Sequence, residues 1–489
     1  MNSRRQFLQM MGYGSAALYS SQFLIGCGDP GNPLSASGID WPHDNTPPSF
    51  PDASDNPWWL RGNYAPVPNE ITATDLTVLG AIPPEINGVF LRNGPNPTEG
   101  VLTGHWFFGD GMLHGVKFEN GQALWYRNRW IETYAFNQQA RGLLGNRGNT
   151  GVAHHAGKTL TFFEGGGSHQ VNAHDLSTVG SYDFNGDTAG PMSAHPKICP
   201  ITGEMHTFGY SPLPPYLRYY VINAAGSVIR KEIIDIPRAT MMHDFQLTET
   251  MTVFYDLPLV FDLSLMNSRP FPIEWTPSHG SRIGLLPRNA PASEIQWLEI
   301  DTCFMFHSFN AYDDSQGRVV LEGCRYPAML DTTSSDLGGK ATPWRWTLDP
   351  KTGQVSEGAF DDTSVDFPLI DSRRQGSEHR VNYGLQMGPG VGDYPTHAMG
   401  LMKHDRFTGN TTIWSPGEAV QPDEPVYVPA SAAAGEDEGW LLSMVYDHAE
   451  DRSEVVILDA SNLEAGPVAR VQMPRRVPFG FHGAWIPAA

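Results

Sequence analysis

The chain has 489 residues and a formal net charge of −21, with 32 Lys+Arg against 53 Asp+Glu. So acidic a surface excludes nucleic acid, whose phosphates need a basic face, and excludes a broad basic patch for anionic lipid. Gly 51, Pro 40 and 11% aromatics, with no long heptad or amphipathic run, describe a chain of many strands and turns.

The N-terminus reads as a targeting segment. SRRQFL at 3–8 is a twin-arginine pattern, and the mildly apolar stretch at 10–25 is too short and too rich in Gly and Ser for a membrane span. LIGC at 24–27 has the form of a bacterial lipoprotein cleavage box, with Cys27 as the lipidated first residue; a simple cleaved signal is the alternative. The expectation is twin-arginine export to the periplasm with a lipid anchor at Cys27. That route carries folded proteins, which suits a cofactor taken up before export. Cys199, Cys303 and Cys324 are too few and too odd a set for a disulfide framework. Residues 28–62, rich in Pro, Gly, Asp, Asn and Ser, read as a linker or surface arm, and 63–489 as one folded domain.

From there, strand–turn–strand units recur: VNAHDLSTVG (171–180), HPKICPITG (195–203), WTLDPKTG (346–353), KHDRFTG (403–409) and the looser VILDASN (456–462). In several, an Asp opens the turn and a Gly supplies positive φ, between apolar strand residues. Such hairpins over some four hundred residues predict an all-β fold, either a β-propeller of four-stranded blades or a large β-sandwich with insertions. The repeated turn favours the propeller.

Of 17 histidines, most, including His43, His279, His404 and His448, have ordinary surface contexts. Four do not: His195 in AHP, His243 in MHD, His307 in FHSFN and His482 in FHG lie among apolar or small residues at strand ends. His243 heads a run, 240–260, that turns apolar and aromatic like a buried strand. A buried imidazole needs a partner on each nitrogen or a metal on one. Residues scattered from 195 to 482 cannot form a helical metal motif. A propeller can gather them, because every blade's innermost strand begins beside one axis. Four neutral imidazoles suit Fe, Zn, Cu or Ni, in a closed tetrahedral site or an octahedral one with open positions.

At this point the chain resembles the carotenoid cleavage oxygenases over roughly 63–487. GAIPPEING (80–88) with FLRNGPNP (90–97) looks like that family's opening motif, and HWFFGDGMLH (105–114) with YRNR (126–129) like its second. The resemblance implies a seven-bladed β-propeller capped by loops and short helices over the metal face. It implies Fe(2+) on His195, His243, His307 and His482, with O2 and an apolar polyene as reactants. It also implies carboxylates on the outer nitrogens of three of the rings. Glu164 in FFEGG (162–166) and Glu424 in EPVYVP (424–429) match the family's glutamates. The third falls at Asp366 in DFPLID (366–371), one methylene short, so that it reaches its ring only if the backbone moves in or a water bridges. Glu378 is a nearby substitute outside the motif.

Phe163, Phe306, Phe309, Phe479 and Phe481 are candidates for a substrate slot, or equally for core packing. The apolar segment 257–273 is either a buried loop or a tunnel mouth that meets a membrane surface. Branches of the family that cleave phenolic stilbenes tend to carry Lys before the first Glu, where this chain has Phe163. The expected reaction is therefore oxidative cleavage of a carotenoid or apocarotenoid C=C bond to carbonyl products. A stilbene (lignostilbene-type) dioxygenase and a non-catalytic pigment-binding propeller lipoprotein are the alternatives.

Overall fold

The computed structural model describes residues 43–49, 57–100, 103–138, 145–188, 190–268, 271–329, 340–389 and 396–488. The twin-arginine segment and Cys27 lie outside them. Seven antiparallel sheets, each of four strands or more, succeed one another along the chain, and the expected seven-bladed propeller is what they form. Blade 1 holds Gly88–Pro95, Gly111–Glu119 and Gln122–Trp130; blade 2 runs from Gly151–His155 to Thr178–Tyr182, and blade 3 from Lys197–Ile198 to Val228–Ile234. Blade 4 starts with Gln246–Leu247 and Met251–Asp256, blade 5 with Phe304–Asp313, blade 6 with Val365–Leu369, and blade 7 is built around Gly439–Asp447.

Both ends of the chain close the ring. Gly483–Pro487 joins blade 1 as its inner strand, pairing Trp485 with Phe90, while Val78–Gly80 adds to blade 7, pairing Leu79 with Arg470. Closure leaves few free sheet edges and fixes every inner strand relative to the axis. The turns are as the repeats predict. Asp349 Oδ1 accepts from Lys351 N at 2.8 Å and Asp405 Oδ1 from Phe407 N at 2.9 Å, with Gly353 and Gly409 both at φ +74°.

The core lies between blades. Its largest part joins blades 3, 4 and 5, where Phe208 meets Phe245 edge-on at 5.1 Å and Tyr219 meets Phe254 at 5.4 Å. Each such ring contributes roughly 1.5–3 kcal/mol on burial, so the wheel is held by its inter-blade seams. The chain is already packed on the propeller at Trp58, before the expected boundary at 63: Trp58 lies 5.9 Å from Trp106, and Tyr64 5.0 Å from Phe479. Further upstream, Arg476 N donates to Asn45 Oδ1 at 3.2 Å. The surface reading of the remaining histidines is corrected for three of them. His404, in the strand Thr396–Asp405, and His448, in the turn after Gly439–Asp447, are buried, and His279 lies 3.0 Å from the buried Asp256.

His114 and His206 are buried bases that stay neutral. Burial first, and nearby arginines second, push both down to about 3. His114 meets the Tyr126 hydroxyl at 2.8 Å, and the Arg288 guanidinium donates to His206 Nε2 at 3.1 Å. Unfolded, each would take its proton near pH 6.5, so the unfolded state binds more protons between pH 6.5 and 3. Stability is then fully present above pH 6.5 and lost as pH falls, by roughly 1.4 kcal/mol per pH unit for each group. Thermal unfolding followed by circular dichroism is expected to show a midpoint falling steadily from pH 6.5 to 4; a flat profile would contradict this account.

Candidate metal centre

The inner strands deliver the four singled-out histidines to one point. His195 stands two residues before Lys197–Ile198, His243 three before Gln246–Leu247, His307 within Phe304–Asp313 and His482 immediately before Gly483–Pro487. His195 Nε2 lies 3.0 Å from His243 Nε2, which lies 3.2 Å from His307 Nε2. One nitrogen from each of the four falls within 4.8 Å of the others.

Three carboxylates hold the outer nitrogens. His243 Nδ1 is 2.6 Å from Glu164 Oε1, His307 Nδ1 2.8 Å from Asp366 Oδ1, and His482 Nδ1 2.8 Å from Glu424 Oε1. Each carboxylate is braced in turn. The Tyr210 hydroxyl donates to Glu164, the Tyr326 hydroxyl donates to Asp366 Oδ2 at 2.5 Å, and Gly483 N donates to Glu424 Oε2 at 2.6 Å. Buried Arg92 pairs with Asp423 and donates to the Phe481 carbonyl, pinning the segment that carries His482.

The expected shortfall at Asp366 is resolved by the backbone. Strand pairing shifts register between Asp366 and Leu369, and Phe367 takes φ +50°, a left-handed conformation uncommon outside glycine. This bulge re-aims the strand, so the shorter carboxylate reaches His307 directly without a bridging water. Glu378 is exposed and takes no part.

Electrostatics treat the rings differently. Burial, then the neighbouring imidazoles, hold His195 and His482 well below the ordinary histidine range. Burial also lowers His243, but Glu164 and other carboxylates outweigh it and raise the group on balance. Burial, reinforced by the adjoining carboxylate, holds the Tyr210 and Tyr326 phenols well above their usual range, so both remain donors. With Nδ1 of His243, His307 and His482 committed to carboxylates, their other nitrogens face one another and His195 across the centre, an arrangement that a metal cation satisfies. Two donors 90° apart at a metal–nitrogen distance of about 2.1 Å would lie roughly 3.0 Å from each other, which the observed spacings match. The residues fit a metal ion.

A cavity of ≈ 450 Å³ opens onto the imidazoles. Phe163, Phe306, Phe479 and Phe481 line it, and Phe306 meets His243 edge-on at 5.3 Å. Phe309 does not: it is 2% exposed and packs in the core, 6.1 Å from Phe360. Three residues along a strand from Phe306, it faces the other way. Sequence reasoning missed Tyr210, Tyr326, Arg92 and the aromatic wall of Trp58, Tyr64 and Trp106. Arg92 and Trp106 stood inside the quoted motifs, so a signal existed; nothing local marks the two tyrosines.

A seven-bladed propeller with four convergent imidazoles on its axis is a metal-binding protein of the oxygenase type, and comparison bears this out. Residues 64–487 match the family described as Retinal pigment epithelial membrane protein. A carotenoid cleavage oxygenase of Mycobacterium tuberculosis (strain ATCC 25618 / H37Rv) is 35% identical over 89% of this chain and 98% of its own length. The Arabidopsis thaliana carotenoid 9,10(9',10')-cleavage dioxygenase 1 is 33% identical over 88% and 89%. The crystal structure of Pseudomonas brassicacearum lignostilbene dioxygenase superposes with a TM-score of 0.81 at 28% identity, covering 91% of this chain and all of the other. The chain belongs to the carotenoid cleavage oxygenase family and is an oxygenase of the dioxygenase kind.

Removing the brace on His307 tests the centre. Asp366→Ala is expected to weaken metal binding by about 10–100-fold, the usual effect of losing such a partner. Tyr326→Phe should cost less, since it removes one hydrogen bond to an ionised group. Chelator competition with Fe(II) or Co(II) reads both; unchanged affinity in Asp366→Ala would refute the assignment.

Proposed function

We propose that this chain is a non-haem Fe(II) oxygenase that cleaves a C=C bond of a carotenoid or apocarotenoid to carbonyl products, using O2. The observation that carries the reading is the junction of four metal-ready imidazoles with a cavity whose wall is aromatic and aliphatic. Among the described residues, no Lys or Arg lines that cavity. A ferrous ion on His195, His243, His307 and His482 would supply O2 binding and activation beside the double bond.

The protein's own work is then mostly positional. Phe163, Phe306 and Phe481 grip a flat, apolar chain near the imidazoles and exclude bulk water. Glu164, Asp366 and Glu424 orient the rings and offset the charge of the ion. No side chain at the site needs to act as a general acid or base. The likeness to a lignostilbene dioxygenase favours a stilbene as the second reading. A phenolate, however, would be taken into an apolar wall without a cationic partner, and position 163 is Phe.

The supply of substrate follows from the segment 257–273. Leu263–Asn267 forms a short turn between Leu259–Phe261 and Ile273–Trp275, and Leu263, Met266 and Phe271 line the cavity. This turn is read as the tunnel mouth that touches a membrane surface, which suits a chain exported by the twin-arginine route and anchored at Cys27. Leu263→Glu with Leu265→Glu is expected to reduce liposome binding, and unchanged binding would discard the membrane contact.

The function itself is tested by anaerobic reconstitution with Fe(II), then air, against panels of carotenoids, apocarotenoids and stilbenes, with products identified by mass. Aldehydes or ketones from polyenes are expected. Cleavage of stilbenes alone would favour the second reading. Stoichiometric pigment binding with neither O2 uptake nor cleavage would leave a pigment-binding lipoprotein.

A further inference from the structure

Away from the imidazoles, the cavity wall carries a neutral amide with a built support. Gln421, 8% exposed, lines the cavity, as do Tyr64, Ala398, Phe479 and the adjoining Pro422 and Asp423, whose carboxylate is taken by Arg92. Behind it stand two histidines that the metal centre does not use. His448 Nε2 lies 3.4 Å from Gln421 Oε1, and the His397 ring lies 6.1 Å from that of His448. His448 is buried between Tyr446 at 4.7 Å and Phe479 at 6.4 Å, and its Nδ1 has no partner, so its ring proton sits on Nε2 facing the amide. Burial keeps both imidazoles neutral.

The His448 ring, donating to the amide oxygen, fixes which way the amide points. Among the described residues its NH2 group has no partner, and it is left for the cavity. Gln421 precedes Glu424 by three residues, and Phe479 precedes His482 by three, so this spot lies on the order of 10 Å from the metal-binding nitrogens.

We propose that Gln421, oriented by His448, is a specificity-determining residue that donates a hydrogen bond to an oxygen atom on the end group of the polyene. The proposal rests on the polyene reading above and narrows it: the favoured substrate ends in a carbonyl or hydroxyl group, packed against Phe479. An apolar wall with one oriented donor discriminates against the ligand that leaves the donor unpaired.

Binding separates this from turnover. Tryptophan quenching, with Trp58 and Trp106 in the wall, is measured under anaerobic conditions for two polyenes of equal length, one ending in an aldehyde or hydroxyl and one in hydrocarbon. The wild-type chain is expected to bind the oxygenated ligand about tenfold more tightly. Gln421→Leu and the longer, flexible Gln421→Met should bring the two Kd values within about twofold of each other, and His448→Phe should narrow the gap in part. A ratio that survives in both Gln421 variants, or failure of the oxygenated polyene to bind, overturns the proposal. Gln421-dependent discrimination without cleavage in air upholds it while refuting the polyene oxygenase reading.

Discussion

Everything in this molecule is arranged around the convergence of four imidazole nitrogens within 4.8 Å. Lone pairs so close repel, and each ring would tilt or take a proton if free to do so. Two constraints prevent this. The inner strands of a closed wheel fix the backbone, and Glu164, Asp366 and Glu424 occupy the outer nitrogens of three rings. The carboxylates are themselves buried and would be costly as isolated charges, which is why Tyr210, Tyr326 and the Gly483 amide stand behind them. The centre is therefore a relay from blade to carboxylate to imidazole, and the rigidity of the propeller is transmitted along it.

Asp366 shows how a local irregularity serves that relay. Glu164 and Glu424 reach their imidazoles from connections just beyond Lys158–Phe162 and Val420–Pro422, whereas the shorter Asp366 reaches His307 from a bulge in which Phe367 holds φ +50°. Such a conformation costs of order 1–3 kcal/mol and persists only where its surroundings over-determine it. Here the surroundings do so. Asp366 Oδ1 also accepts from Phe367 N at 2.8 Å, and the Phe367 ring lies 5.0 Å from that of His307, in the cavity wall. The missing methylene and the strained residue are two halves of one solution, and the displaced phenylalanine takes a place in the cavity wall.

Much of this was legible in the sequence, for identifiable reasons. Asp-to-Gly hairpins announce four-stranded blades because the turn geometry is local, and the four histidines stand out because polar residues in apolar strand ends need an explanation. What was not legible depends on distance in space. Tyr326 braces Asp366 across 40 residues, and Arg92 pins the His482 segment from the other end of the chain. Phe309 was misplaced because its closeness in sequence to His307 was given more weight than strand alternation, which puts it on the face opposite Phe306. His404 and His448 were misjudged because burial by a neighbouring segment leaves no mark on the residues beside them.

The shape and composition of the cavity bear on a harder question than binding. A conjugated chain is a repeat of nearly identical units, so an apolar tunnel holds it almost equally well after a slide of one double bond. Aromatic walls such as Phe163, Phe306 and Phe481 can grip and flatten such a chain, yet they cannot by themselves choose which bond stands beside the imidazoles. Selectivity must come from where the ligand differs along its length, at its ends and its methyl branches. A wall therefore needs features that are not repeated: a constriction, a closed end, or a polar group off the axis. In a cavity walled mainly by aromatic and aliphatic side chains, the sparse polar positions away from the metal-binding nitrogens are the features that break the repeat.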